Sequence, residues 1–145
     1  KKLRIFTGTH TEHYISAYKM FVDNKFFGVG VKNFRNFCKE KKYYSDSSCS
    51  THPHNTYVQI LSETGILGFI FLLFVLLYFC KYIFLHLNYK LKGKQFFSDF
   101  EICILSGIVI YLWPIIPTGN VFNNWLTIIM ILNFPLLIWS RKKSK

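Results

Sequence analysis

The sequence predicts an all-α polytopic membrane protein in which three transmembrane helices follow a helical external segment. Three observations carry this reading. Residues 65–80 hold sixteen positions without a charge, residues 121–139 form a second uncharged run of nineteen, and the 18 Lys and Arg, against 7 Asp and Glu, all fall outside both runs. A net charge of +11 on a chain that is 51% hydrophobic would otherwise suggest a small nucleic-acid binder. Basic and apolar residues instead occupy separate stretches, which is membrane-protein organisation and excludes nucleic acid as the partner. Four Cys among 145 residues are too few for a disulfide scaffold. With neither a starting Met nor an early signal peptide, the chain reads as the tail of a longer protein.

Residues 1–63 form the external region. They hold too many aromatics for a disordered tail. Tyr14, Ala17, Tyr18 and Phe21 fall at i, i+3, i+4 and i+7, an apolar stripe on a helix opened by Thr9 or Thr11 and stopped near Asn24. This helix is expected to lie on the membrane surface or against the bundle. Gly28-Val29-Gly30 marks a turn, with Phe34 and Phe37 packing beneath it; without a preceding strand or a following Lys-Ser/Thr it is no phosphate loop. Cys38 and Cys49 bracket a polar stretch. On an oxidising face a disulfide between them is favoured over two free thiols, closing a loop of about a dozen residues for ~3 kcal/mol. Cys80 and Cys103 lie in the spans as small apolar residues.

The first span covers residues 64–85, of which 65–85 alone would make a helix of roughly 32 Å against a hydrocarbon core of about 30 Å. A connection follows at 86–100, a second span at 101–117, a turn at 118–124, a third span at 125–139 and a tail at 140–145. Pro114, Pro117 and Pro135 kink or end helices, because each lacks an amide N–H. Lys81, Lys90, Lys92 and Lys94 follow the first span and Arg141, Lys142, Lys143 and Lys145 the third, whereas the 118–124 turn has no charge. The positive-inside rule therefore puts the 86–100 connection and the tail in the cytoplasm and residues 1–63 outside. That external region still carries ten Lys or Arg against five acids. It needs an anionic partner.

Pro53 suits the first turn of a helix that Thr51 or His52 can cap and that runs on into the first span. At 100° per residue Asn55, Gln59 and Glu63 form one polar stripe, with His54 beside its membrane-distal end, while Gly65 and Gly68 supply a smooth packing face. A polar stripe entering a span is costly unless it lines a cavity or a site.

The pattern His54-Asn55-x-Tyr57-x-Gln59-x-Leu61-x-Glu63-x-Gly65-x-x-Gly68, preceded by Phe27-Gly28-Val29-Gly30 and Phe34 and followed by Pro117-Thr118-Gly119-Asn120, resembles the C-terminal part of the O-antigen ligase and polymerase family. The resemblance implies the large periplasmic loop and last three spans of a GT-C-like helical bundle in a bacterial inner membrane, the remaining helices preceding this chain. It further implies an inverting, metal-independent glycosyltransferase without a cofactor. The donor would be a glycan on polyprenyl pyrophosphate, the acceptor a hydroxyl of the lipid A core, a growing glycan or a protein, and the surroundings membrane lipids. His54 matches the family's loop histidine and is implied as the general base; a neutral imidazole suits partial proton acceptance from an alcohol. Pyrophosphate needs cations, which Arg supplies bidentately. The loop offers Arg35, the preferred choice, and Arg4. Asn55, Gln59 and Glu63 would orient His54 or bind sugar hydroxyls, or else hydrogen-bond between helices. Asn120, Asn123 and Asn124 on the opposite external turn could reach a glycan, but a plain Gly-Asn turn is the favoured reading.

Two other readings compete. His10, His13, His52 and His54, with Glu12 and the loop cysteines, would make the chain a zinc-dependent membrane enzyme if they converged; the Glu-bearing His-Glu-x-x-His pattern is missing. A non-enzymatic translocase or scaffold would use the basic loop only to hold anionic carrier lipid. The orientation itself is testable: in a variant lacking Cys38 and Cys49, Ser47→Cys should react with a membrane-impermeant thiol reagent on intact spheroplasts, and labelling only after lysis would reverse the topology.

Overall fold

The computed structural model describes residues 7–143. All six regular elements among these residues are helices: α1 (Gly8–Asp23), the single turn α2 (Phe34–Phe37), α3 (Thr56–Leu91), α4 (Asp99–Tyr111), α5 (Asn124–Ile131) and α6 (Asn133–Lys143). The chain divides into two compact units, one of Lys1–Leu72 with Pro114–Asn123, the other of Leu73–Trp113 with Asn124–Lys145.

In the first unit, α1 starts at Thr7, whose hydroxyl accepts the His10 amide, so the cap lies two to four residues before the Thr9 or Thr11 expected. Its buried face is His13, Ser16, Ala17 and Met20. This is rotated from the predicted stripe, and Tyr18 is 62% exposed. Small Ser16 and Ala17 let the following loop approach closely, which leaves the larger Tyr18 ring outside. Ala17 and Met20 pack with Val29, Phe34, Cys38 and Tyr43 into the core of the unit. Cys38 and Cys49 are joined by a disulfide with Cα atoms 5.2 Å apart. The loop they close is fastened to α1 by Tyr43 Oη donating to Asp23 (2.8 Å), Ser45 Oγ donating to Glu12 (2.6 Å) and His13 Nδ1 donating to the Ser48 carbonyl (2.8 Å).

α3 is interrupted at Gly65, where φ is 68° and ψ −162°. The expected uninterrupted run into the first span is therefore corrected: Gly65 turns the chain rather than smoothing a packing face. An intact helix would pair the amides of 66 and 67 with the carbonyls of 62 and 63. Here Ser62 and Glu63 carbonyls accept instead from Val29 and Gly30 (2.9 Å each), and the Ile66 amide donates to Lys25 (2.8 Å). The two freed carbonyls and the Ile66 amide thus find partners on the 25–30 turn. The fit is close: a Cβ on Gly28 would lie 2.4 Å from the Glu63 carbonyl carbon, and one on Gly65 would lie 2.4 Å from Phe26.

In the second unit, Ser98 and Glu101 form a reciprocal capping box that starts α4. α4 stops at Leu112, two residues before Pro114, as the steric clash of a proline with the preceding turn requires. Its thirteen residues rise about 20 Å. The third hydrophobic run is likewise not one helix, since Pro135 crowds the carbonyl four residues back, at Ile131, where α5 ends and α6 begins two residues later. Arg141 holds the end of α6 by donating to the Phe96 carbonyl (2.9 Å), with its guanidinium over the Phe96 and Phe97 rings and Nε 3.9 Å from Glu101. Among the described residues one helix, α3, is long and apolar enough to cross a membrane, and only 6% of its most apolar stretch is buried.

The seal at Gly65 sets an expectation for stability. Gly28→Ala and Gly65→Ala should each cost about 2 kcal/mol from backbone overlap beyond the about 1–2 kcal/mol of a left-handed residue. Gly93→Ala, where φ is 69° and no atom lies within 4 Å, should cost only the latter. Thermal unfolding in detergent measures all three; equal losses would remove the seal from the account.

Candidate functional site

The site gathers at the loop that leads into α3. Asn55 is the cap: its Oδ1 accepts the amides of Tyr57 (3.0 Å) and Val58 (3.1 Å), and its Nδ2 donates to the Pro114 carbonyl (2.7 Å). This corrects the expectation of a cap at Thr51 or His52. The 114–123 segment is bound to the same loop by Thr118, whose amide donates to the His54 carbonyl (3.0 Å) and whose hydroxyl meets that of Thr56 (2.9 Å). Immediately before the cap, His54 has φ 58°. A left-handed non-glycine residue is strained, and the bonds on either side of it hold it there.

Gln59 and Glu63 do share a face, one turn apart, but both are fully buried. Gln59 Nε2 donates to Glu63 (3.0 Å) and to Asn120 Oδ1 (2.8 Å), and its Oε1 accepts the Val121 amide (3.1 Å). The Glu63 carboxylate also accepts the amides of Lys32 (3.1 Å) and Phe34 (2.8 Å), just ahead of α2. Three donors offset the cost of burying this carboxylate. The polar atoms of Asn55, Gln59 and Glu63 are thus engaged inside the protein, where they position the loop; none is presented to a ligand. Asn120 is drawn into the same network, while Arg4 and the Asn124 side chain lie outside the described residues.

Around His54 stand three other histidines of the first unit. Ring centroids lie 4.2 Å away for His52, 5.5 Å for His13 and 5.6 Å for His10. Because a carbonyl can only accept, two protonation patterns are fixed: His13 carries hydrogen on Nδ1 for Ser48, and His52 on Nε2 for the Thr118 carbonyl (3.3 Å) while its Nδ1 meets the Thr51 hydroxyl (2.9 Å). His54 Nε2 lies 3.1 Å from Ser50 Oγ. Burial pushes the pKa of His54 below the ordinary imidazole value, and repulsion from His52, His13 and His10 adds to it. His52 is lowered by burial too, the Thr118 carbonyl opposing and the charges of His13 and Arg35 assisting. The cluster therefore presents His54 as an uncharged imidazole with a lone pair.

The histidines meet as the competing metal reading requires, yet both ring nitrogens of His52 and one of His13 are taken by protein groups. Among the described residues no set of three or more His, Cys, Asp or Glu has the arrangement of a metal site. Arg35 projects from α2, exposed, beside an open depression of about 370 Å³ that Lys39, Ser50 and Thr51 also line. Lys39 and Ser50 were not singled out from the sequence; the only signal for them was adjacency to the two cysteines.

No curated protein and no solved structure matches the chain. Residues 7–73 match the model of a protein family described as O-antigen ligase. That stretch contains α1, the 25–30 turn, the disulfide loop, the histidine cluster and the Gly65 break, so it is the site-bearing part of the chain that is similar to the O-antigen ligase family.

Proposed function

We propose that the chain carries the acceptor-activating part of a glycosyltransferase that moves a glycan from polyprenyl pyrophosphate to a hydroxyl of the lipopolysaccharide core or of a growing polysaccharide. The observation that carries this is the His54 imidazole, fixed on a strained turn at the start of the apolar helix α3 where burial disfavours its charged form. In the reaction the acceptor oxygen bonds to C1 of the donor sugar while the C1–O bond to the diphosphate breaks. The electron pair leaves with the diphosphate, and His54 takes the hydroxyl proton. Attack opposite the leaving group inverts C1, and no step calls for a metal ion. Arg35 and Lys39 stand at the adjacent depression as cations for the leaving diphosphate. The membrane arrangement that fits is the three-span one with the His54 side periplasmic in a bacterial inner membrane, α3 as the first crossing and α4 to α6 completing the others with helices of the same protein.

Full-length protein in liposomes, given polyprenyl pyrophosphate glycan and acceptor, should transfer sugar in excess EDTA. His54→Ala should lower turnover by about 10²-fold or more. Normal turnover in that variant, or carrier lipid crossing between leaflets with its glycan unchanged, would defeat the proposal. The pH dependence follows from sign. His54 must be uncharged to accept a proton and its pKa is depressed, so transfer should hold its full rate down to the ordinary imidazole value near 6.5 and fall only below it. Removing one repelling neighbour, as in His10→Gln, should move the acid limb upward; an unmoved limb would show that the cluster does not tune His54.

A further inference from the structure

His54 must present a defined ring nitrogen, and nothing on its own turn orients the ring. The group that does so is Ser50, four residues earlier in the same loop. Ser50 Oγ lies 3.1 Å from His54 Nε2, and Ser50 follows directly on Cys49 of the disulfide. The loop that delivers it is fixed at several points: the Cys38–Cys49 bond, the Glu12–Ser45 and His13–Ser48 contacts to α1, and Ser48 Oγ accepting the Ser45 amide (2.8 Å). Ser48 is fully buried and Ser50 half-buried at the rim of the Arg35 depression. His54 Nδ1, by contrast, makes no hydrogen bond among the described residues.

We propose that Ser50, held in place by the disulfide, is the positioning residue that accepts a hydrogen bond from His54 Nε2–H and so leaves Nδ1 as the atom that takes the acceptor's proton. The inference rests on the reading of His54 as the base. A base whose far nitrogen is held by a third group keeps one tautomer and one ring plane, and the imidazolium formed in the transition state keeps its hydrogen-bond partner. The hydroxyl proton passes to Nδ1 as the C1–O bond forms, and the Nε2 hydrogen stays on the ring facing Ser50. The titratable groups around the ring are His10 and His13 of α1 and His52 of its own loop, with Arg35 of α2 acting on His52.

The test uses the full-length reconstituted enzyme with Ser50→Ala, Ser50→Thr and the paired Cys38→Ala, Cys49→Ala. Ser50→Ala should lower kcat roughly tenfold or more with KM little changed. It should also move the acid limb of kcat to lower pH, because the imidazolium loses its acceptor; a purely structural loss would leave that limb in place. Ser50→Thr keeps the hydroxyl and should restore most of the rate. The cysteine pair should lose activity to a similar degree, and adding Ser50→Ala to it should cost little more. If Ser50→Ala keeps the wild-type kcat and pH limb while His54→Ala is inactive, the positioning role is overturned and the base stands. If His54→Ala is active, the functional reading itself fails.

Discussion

The first unit depends on one backbone event, the left-handed turn at Gly65. A helix interrupted at the edge of an apolar span exposes carbonyls and an amide where water is scarce, and each such group must be paired. The 25–30 turn supplies partners for the Ser62 and Glu63 carbonyls and the Ile66 amide. Gly28 is the complement of Gly65, since only a residue without a side chain lets the two backbones meet. Once the turn is seated, the Lys32 and Phe34 amides lie against the Glu63 carboxylate, α2 starts where Arg35 is exposed beside the loop, and Cys38 is in place for Cys49. The break is therefore the anchor from which the loop over His54 is hung.

The second constraint is electrostatic. Burial and the neighbouring imidazoles disfavour the charged form of His54, because like charges at these separations repel and burial removes the water that would screen them. Such a cluster makes proton acceptance by any member a question of which lone pair is free. Ser48, Thr51 and Thr118 settle this for His13 and His52. His10 and His54 are left, and the strained backbone of His54, pinned through Thr118, keeps it turned out of the helix that follows.

Much of this was legible in the sequence, for reasons that differ by residue. The apolar reach of α3 followed from an uncharged run, since the hydrophobic effect acts on composition alone. The disulfide was expected because Cys38 and Cys49 flank a polar loop on an oxidising face. Prolines 114 and 135 marked where helices stop, as a missing amide and a ring clash are local effects. Asn55, Gln59 and Glu63 were found as a stripe, because a 100° rotation per residue is fixed by the helix. Their partners were not, since the amides of Lys32, Phe34 and Val121 and the side chain of Asn120 lie about thirty or sixty positions away and carry no side-chain pattern that announces them.

By itself, then, the sequence determined the all-helical class, the apolar reach of α3 and the turn at residues 28–30. Tertiary structure decided that the polar stripe faces protein instead of ligand, that α1 buries Ser16 and Ala17 and leaves Tyr18 exposed, and that four histidines converge with Ser50 at His54. The physical reason is range. Propensity, periodicity and proline sterics act within a few residues, whereas hydrogen-bond satisfaction of buried groups is decided by whichever distant backbone arrives, and here that arrival is set by two glycines meeting at Gly65.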